Sequence, residues 1–221
     1  ALKQFRAIGE RRGEGETYVN MGVLLMNIFQ FKTSLMSLTE AEKIYNTIGD
    51  MSGMGKVLVN KAEALSLLNN PDDMENNIHK LEAIIPQNDP LHLPIINFLK
   101  GELMIHRGMN EEGQQILKDN MELLKKTGYF EGLMKARLLI AIADIKMGKI
   151  NCIEDVEETL MEVCSKKSPG SLLICLNMIY VADAKTFSSF STNLKERIHQ
   201  CLSVSSEAME LFAENFNQSL E

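Results

Sequence analysis

Residues 1–25 are ALKQFRAIGERRGEGETYVNMGVLL, and residues 41–65 are AEKIYNTIGDMSGMGKVLVNKAEAL. The two stretches align without a gap at a spacing of 40 residues, and the pattern of alanine, isoleucine, glycine, valine, asparagine and leucine is kept while Phe5 becomes Tyr45. A fixed period of about 20 to 50 residues is typical of proteins built from stacked structural repeats. Such stacks form extended concave surfaces, so the pattern predicts an architecture suited to binding.

The composition is that of an ordinary folded protein, with 45% hydrophobic and 24% charged residues among 221. The net charge of −7 and the scattered lysines and arginines argue against a nucleic-acid partner, because a basic patch supplies most of the affinity for nucleic acid. No apolar run approaches the roughly 20 residues needed to cross a bilayer, and the first residues lack the pattern of a signal peptide. We therefore expect a cytoplasmic protein that binds neither nucleic acid nor membrane.

The residues that most often bind metals or form disulfides are few and lack the usual spacing. They are Cys152, Cys164, Cys175 and Cys201, and His79, His92, His106 and His199. Without a C-x-x-C pair, free thiols are favoured over disulfides or a metal site. The 14 methionines, in a chain without tryptophan, fit core filling better than a methionine-lined groove. We expect no cofactor and no metal.

Apolar residues recur at helical spacing throughout, and glycine or proline interrupts the pattern at regular intervals. This predicts an all-α protein of about five helix pairs. The predicted first helices are 14–28, 55–69, 91–107, 130–147 and 170–186, and the predicted second helices are 32–47, 72–85, 110–126, 153–166 and 191–215. The corresponding repeats, within one domain over 1–221, are about 14–50, 51–88, 89–128, 129–168 and 169–216.

A small residue lies midway along each predicted first helix. These residues are Gly22, Ala62, Gly101, Ala141 and Ala182. Small side chains are needed where two antiparallel helices approach closely, and a larger one there would cost about 1–3 kcal/mol. We therefore expect these positions to be buried at the contact between the helices of a pair.

No sequence motif of catalysis is present: the chain lacks G-x-S-x-G, H-E-x-x-H and a phosphate-binding loop. The glycines at 9, 13 and 15 lack the Lys-Ser/Thr of such a loop and recur at 49, 53 and 55, which predicts turns between repeats. Acidic pairs such as Asp72-Asp73 come at the starts of predicted second helices, where they complement the helix dipole, and this is favoured over a catalytic pair of carboxylates. We expect no enzyme activity.

One stretch carries a recognisable spacing. Its residues are Tyr18, Met21, Gly22, Leu25, Ser34, Leu38 and Ala41. This spacing resembles the tetratricopeptide signature W-x2-L-G-x2-Y…A-x3-F…A, with Tyr18 in place of the tryptophan. The linker Ile-Gly-Glu/Asp-x-x-Gly-x-Gly is similar to the 40-residue version of that repeat, which occurs in kinesin light chains, spindle-orientation adaptors and the sensor regions of signalling ATPases and transcription activators. The resemblance covers residues 1–68 and, in part, 97–148. It implies a right-handed α-solenoid of about five antiparallel helix pairs, a TPR-like superhelix.

In a tetratricopeptide stack the first helices line the concave groove, and Asn20 and Asn60 lie on the first two of them. An asparagine amide can donate to and accept from a peptide backbone at once. Related repeats use asparagines here to hold extended peptides, and the resemblance implies the same role. The alternatives are a solvated asparagine or one that braces a turn. Further residues predicted to face this groove are Glu16, Val23, Asn27, Lys56, Glu63, Glu102, His106 and Lys146.

Three functions follow, in order of preference. The first is a protein–protein interaction scaffold that binds a peptide segment or helix of a partner in its concave groove. The second is the regulatory sensor region of a multidomain signalling ATPase or transcription activator whose effector domain lies outside this chain. The third is a helical enzyme.

The sequence also leads to predictions for the two ends of the chain. Ala1 aligns with Ala41, in the middle of a second helix, so residues 1–8 are predicted to be the end of a truncated preceding repeat in a fragment of a longer protein. An exposed face around Leu2 and Phe5 would promote self-association. Residues 194–216 are predicted to be a polar cap or, through their apolar face, a docking element.

Overall fold

The computed structural model describes residues 1–86, 89–149 and 152–220. The protein is 84% helical, and the described residues contain no strand. The predicted all-α class is therefore confirmed. No helix in the described part of the chain is both long and apolar enough to span a membrane. The chain folds as two compact units, Ala1–Arg107 and Gly108–Glu221. The third predicted repeat, 89–128, includes residues of both units, and a single continuous stack stays a prediction.

The first unit contains six helices among its described residues. They are α1 (Leu2–Ile8), α2 (Arg11–Asn27), α3 (Phe31–Ile48), α4 (Met51–Leu67), α5 (Pro71–Ile84) and α6 (Leu93–His106). Each helix packs against the next along the chain, and in addition α2 packs against α4, and α4 against α6. The three predicted first helices of this unit therefore lie side by side.

The turns of the first unit repeat the same backbone conformation. Gly9 and Gly49 end α1 and α3 in the left-handed region, with φ of 71° and 68°. Phe29 and Asn69, which follow α2 and α4, are also left-handed, with φ of 59° and 51°. Glycine takes this conformation without steric cost, whereas other residues seldom do. The backbone thus turns in the same way at positions 40 residues apart.

The glycines at 13, 15, 53 and 55 correct a sequence prediction, because they lie inside α2 and α4 and not in turns. The helices begin at Arg11 and Met51, since the Glu10 and Asp50 side chains accept hydrogen bonds from the backbone N–H groups of residues 13 and 53. A Cβ at Gly15 would lie 2.9 Å from the Tyr45 ring, and one at Gly53 would overlap that ring. The glycines therefore make room for an aromatic side chain of the neighbouring helix.

The small residues of the first helices lie where the sequence predicts close packing. Gly22, Ala62, Gly101 and Ala141 are buried. A Cβ at Gly22 would lie 2.7 Å from Leu38 of α3, and the Ser34 hydroxyl donates to the Gly22 carbonyl at 2.7 Å. The close approach of α2 and α3 is confirmed. Ala182, near the end of its helix, is only half-buried.

Residues 2–8 are helical, as predicted. Leu2 and Phe5 are half-buried, and a Cβ at Gly13 would lie 2.7 Å from the Phe5 ring, so this ring packs on α2. Ile8 is 74% exposed. Self-association through this end stays a prediction.

The second unit also contains six helices among its described residues. They are α7 (Asn110–Thr127), α8 (Phe130–Lys146), α9 (Ile153–Ser165), α10 (Pro169–Asp183), α11 (Thr192–Leu202) and α12 (Ser206–Leu220). A 3-10 turn, Ala184–Ser189, follows α10. Helix α8 packs against α7, α9 and α10, while α11 packs against α9, and α12 contacts α10, α11 and the 3-10 turn.

The long helix predicted over 191–215 is wrong, because the chain breaks between α11 and α12. The Ser205 hydroxyl accepts from the Ala208 N–H at 3.2 Å and so caps α12. The break lets α12 pack against α10, and Phe212 and Phe216 are 1% and 2% exposed. Phe216 stacks on Phe187 of the 3-10 turn, with ring centroids 6.0 Å apart. The apolar face of this segment therefore packs within the same unit.

The four cysteines, all in the second unit, are buried with free thiols. Burial raises the pKa of Cys164 and of Cys175 to about 12. A thiol with such a pKa is almost wholly protonated near neutral pH, and the thiolate is the reactive form. The four cysteines therefore belong to the core of the second unit.

Candidate functional site

The predicted groove residues of the first unit lie on three helices that pack side by side. They are Glu16, Asn20, Val23 and Asn27 on α2, Lys56, Asn60 and Glu63 on α4, and Glu102 and His106 on α6. Within each helix these positions are three, four or seven residues apart, which places them on one face. We call this the first-helix surface. Lys146, which the sequence also predicts to face the groove, lies at the end of α8 in the second unit.

The two asparagines differ in their surroundings. Asn20 is exposed and has no hydrogen-bond partner among the described residues. Asn60 is half-buried, and its Nδ2 donates to the Lys56 carbonyl one turn earlier at 2.8 Å. An asparagine amide has two N–H hydrogens and an acceptor oxygen. Asn60 therefore keeps one hydrogen and its oxygen for a ligand, whereas Asn20 can use its whole amide.

Two equivalent positions on this surface carry opposite charges. Glu16 on α2 and Lys56 on α4 occupy equivalent positions, and both are exposed. Glu16 lies 4.0 Å from Arg12, which itself lies 3.1 Å from Asp50 at the start of α4. Exposed pairs of this kind contribute little to stability. They leave a surface of mixed charge, with Glu16 on α2 and both Lys56 and Glu63 on α4.

A buried polar cluster joins α4 to α6. The Ser66 hydroxyl lies 2.6 Å from Oε1 of Glu102 and 2.9 Å from Nε2 of His106. The other ring nitrogen of His106 lies 3.1 Å from Oδ1 of Asn69. Ser66 and Glu102 are 7% and 5% exposed. Glu102 and His106 therefore contribute to the contact between two helices and offer less to a partner than their positions on the helix suggest.

The sequence did not predict Ser66 or Asn69 as members of this cluster. Ser66 interrupts the apolar run Ala64 to Leu68, and a lone polar residue on a buried helix face needs a hydrogen-bond partner. This interruption of the apolar run is the sequence feature from which a buried role of Ser66 could have been predicted. Asn69 has a left-handed backbone, which asparagine tolerates better than most residues, and so it ends the helix as well as contacting the ring.

The connection from Ser66 through His106 to Asn69 has the order of a nucleophile, a base and an orienting residue. A hydroxyl has one hydrogen, however, and the Glu102 carboxylate at 2.6 Å is positioned to accept it in place of the ring. Ser66 also lies next to the last residue of α4, where the negative end of the helix dipole opposes a developing oxyanion. The arrangement fits a structural link between helices better than a catalytic site.

Among the residues that the structure describes, no three histidine, cysteine, aspartate or glutamate side chains are grouped to hold a metal ion. No known family model matches the chain, and no curated protein matches it. The candidate functional site is the first-helix surface, on the observation that α2, α4 and α6 pack side by side.

Proposed function

We propose that this chain is a non-enzymatic protein–protein interaction scaffold that binds an extended peptide segment, or a helix, of a partner protein on the first-helix surface. The observation that supports this most directly is the side-by-side packing of α2, α4 and α6, which brings Asn20 and Asn60 onto neighbouring helices at equivalent positions. We further propose that the helix pairs form a right-handed solenoid of the tetratricopeptide type. The proposed scaffold needs no cofactor and acts in the cytoplasm.

The spacing of packed helices suits an extended peptide. Neighbouring helices are about 8–10 Å apart, and an extended chain rises about 3.3 Å per residue. Asn20 and Asn60 can therefore meet backbone groups about three residues apart on the bound peptide. Because the surface is formed by packed helices, little conformational entropy is lost by the scaffold on binding.

The charges give the bound peptide a preferred direction. With Glu16 on α2 and Lys56 on α4, a segment with a basic residue near α2 and an acidic residue near α4 is complementary. Charge complementarity of this kind contributes more to specificity and association rate than to affinity. The proposed partner segment thus carries both signs of charge, three or so residues apart.

A regulatory setting is the second candidate. The linker Ile-Gly-Glu/Asp-x-x-Gly-x-Gly resembles the repeats of sensor regions in signalling ATPases and transcription activators. In that setting the same surface would bind a segment of the effector domain. Both candidates use the same residues, so one binding experiment addresses them together.

The test uses peptides selected against the folded 221-residue chain from a random peptide library, followed by affinity measurements with the double variant N20A/N60A. Each neutral hydrogen bond contributes about 0.5–1.5 kcal/mol, so we expect binding to weaken by about 1–3 kcal/mol, or roughly 5- to 150-fold. The matched control is N76A/N193A, which removes two exposed asparagines from α5 and α11. Its affinity should equal that of the unchanged chain.

Circular dichroism and thermal denaturation of N20A/N60A complete the test. Unchanged folding with weakened binding supports the proposal. Unchanged folding and unchanged binding would show that the asparagines are solvated and that the surface is wrongly assigned. A large loss of stability would instead identify the asparagines as bracing residues.

A further inference from the structure

A cavity of about 450 Å³ lies between α3, α4 and α5 of the first unit. Met54 and Leu58, one helical turn apart on α4, form part of its wall together with Ile84 of α5. Leu58 is 1% exposed and Met54 is 9% exposed, so these apolar groups line its inner part. Sites for small molecules have volumes of about 300–1,000 Å³ and are mostly apolar with a few polar groups. The cavity meets both conditions.

The outer part of the cavity carries positive charge and hydrogen-bond donors. Lys43 and Asn46 of α3 are three residues apart and so lie on one face of that helix, and Lys80 of α5 contributes a second ammonium group. Glu42 also lines the cavity, but both of its carboxylate oxygens are engaged. They lie 2.5 Å from Lys61 and 3.1 Å from Lys80.

Lys43 is the charged group best placed to receive a ligand. Its ammonium group lies 2.6 Å from Glu40 on the preceding turn, and the two side chains are 66% and 47% exposed. Exposed pairs of this kind contribute little free energy, so Lys43 can exchange Glu40 for an anionic ligand at small cost. The Asn46 amide supplies N–H donors next to it. An apolar interior below a cation and an amide complements a molecule with an apolar chain and an anionic head.

We propose that this cavity binds a small amphipathic carboxylate, an unbranched fatty-acid-like molecule. Its chain lies against Met54 and Leu58, and its carboxylate is held by Lys43 and Asn46. The walls come from α3, α4 and α5, and the α4 residues among them, Met54 and Leu58, are not residues of the proposed peptide site. The two proposals are therefore independent, and either can fail without the other.

The test is a titration of decanoate into protein labelled with ¹³C at the methionine methyl groups. The Met54 signal is assigned with M54L, and Met36, an exposed methionine of α3 outside the cavity lining, serves as the internal control. We expect a saturable shift of the Met54 signal and none of the Met36 signal. Each fully buried methylene tightens binding about fourfold, so octanoate should bind more weakly than decanoate, by at most about 15-fold. Decyltrimethylammonium, with the same chain and the opposite charge, should not bind saturably.

Variants locate the site. A83W places a large ring at an exposed position of the cavity lining and should abolish decanoate binding. A213W, at an exposed alanine of α12, is the matched control and should leave binding unchanged. K43E should weaken binding several-fold, whereas K32E, at an exposed lysine of the same helix, should not. Circular dichroism verifies that each variant folds.

Three results would overturn the proposal. The first is the absence of a saturable Met54 shift at millimolar decanoate. The second is equal binding of decyltrimethylammonium, which would leave no role for Lys43. The third is a loss of binding in A213W as large as that in A83W, because the molecule would then be binding elsewhere.

Discussion

The turn between α1 and α2 and the turn between α3 and α4 have the same backbone conformation. They differ in the side chains that are buried next to it. In both, a left-handed glycine is followed by an acidic N-cap, and an aromatic ring of the first helix packs on a glycine of the next. At the following position the first turn has Glu14 and the second has Met54. Both turns thus have the same backbone conformation and the same packing of an aromatic ring on a glycine. The residue after that glycine is charged in one turn and apolar in the other.

The surroundings of that residue explain how both choices are tolerated. Glu14 is 3% exposed and lies 2.8 Å from Arg6 and 2.5 Å from Arg11. Forty residues later, Asn46 and Met51 stand in place of these arginines. A buried carboxylate is acceptable only with partners, so the acidic residue and its arginines occur together in one turn and are absent together from the other. In these two turns the three side chains therefore differ together.

The largest expected effect is the loss of stability when the ring of Tyr45 is removed, compared with removal of the Phe5 ring. Tyr45 is 2% exposed, whereas Phe5 is half-buried. Removing a fully buried ring costs about 3–5 kcal/mol, so Y45A should lower the free energy of unfolding by about that amount, and F5A by less than half of it. Urea denaturation followed by circular dichroism measures both. Equal losses would mean that the two turns contribute equally and that the difference in burial has no energetic weight.

Exchanging the residues at positions 14 and 54 should change the free energy of unfolding by unequal amounts. E14M returns two half-exposed arginines to water and replaces a buried ion pair by an apolar side chain, which is often nearly neutral. M54E instead places a carboxylate at a buried position where Asn46 and Met51 stand in place of the arginines, and the ammonium groups of Lys43 and Lys80 line the outer part of the adjoining cavity without a geometry built for this carboxylate. We expect a loss of about 3 kcal/mol. The same denaturation experiment decides this. If both variants lose equally, the arginines are not what makes Glu14 acceptable.

A smaller effect should appear as a dependence on pH. Hydrogen bonding from Arg6, with a further contribution from Arg11, holds the pKa of Glu14 below its usual value. A carboxyl with a lowered folded-state pKa stabilises the fold above its unfolded pKa of about 4.3, and that contribution is lost as pH falls through the folded value. The stability difference between the unchanged chain and E14Q should therefore be about 1–2 kcal/mol at pH 6 and should shrink below about pH 4.

The other carboxylates with lowered pKa values, such as Glu42 and Glu82, are present in both proteins and cancel in this difference. Measurements at pH 6 and at pH 3.5 suffice. A difference that stays constant between these two values would show that the contribution of Glu14 comes from packing and not from charge.

The features that the sequence predicted well are those with a local physical cause. Left-handed turns favour glycine, and close helix contacts favour glycine or alanine. Residues such as Gly49 and Ala62 therefore indicate the positions of the turns and helix contacts directly. The starts of α2 and α4 were predicted too late because glycine has low intrinsic helix propensity. Packing of the Tyr45 ring from another helix overrides that propensity at Gly53. Local patterns could not show this, since the ring and the glycine lie on different helices.

For the candidate site, too, some features follow from local sequence patterns and others depend on the packing of helices. The exposure of Glu16, Asn20 and Lys56 follows from helical periodicity alone. The cluster of Ser66, Glu102 and His106 joins residues 36 and 40 positions apart on two helices. Such a contact depends on the register between α4 and α6, which no single stretch of sequence determines.

The buried ring of Tyr45 also bears on the distance between α2 and α4. Its ring meets both Gly15 of α2 and Gly53 of α4, and burial raises the pKa of its phenol to about 12, so it stays neutral. The ring is therefore a spacer whose width sets the separation of two neighbouring helices. Under the proposed function, that separation is also the distance between the asparagines that hold the peptide. A narrower side chain at this core position would bring α2 and α4 closer together and change the register of peptide that fits, so that the preference for a partner is tuned from inside the protein.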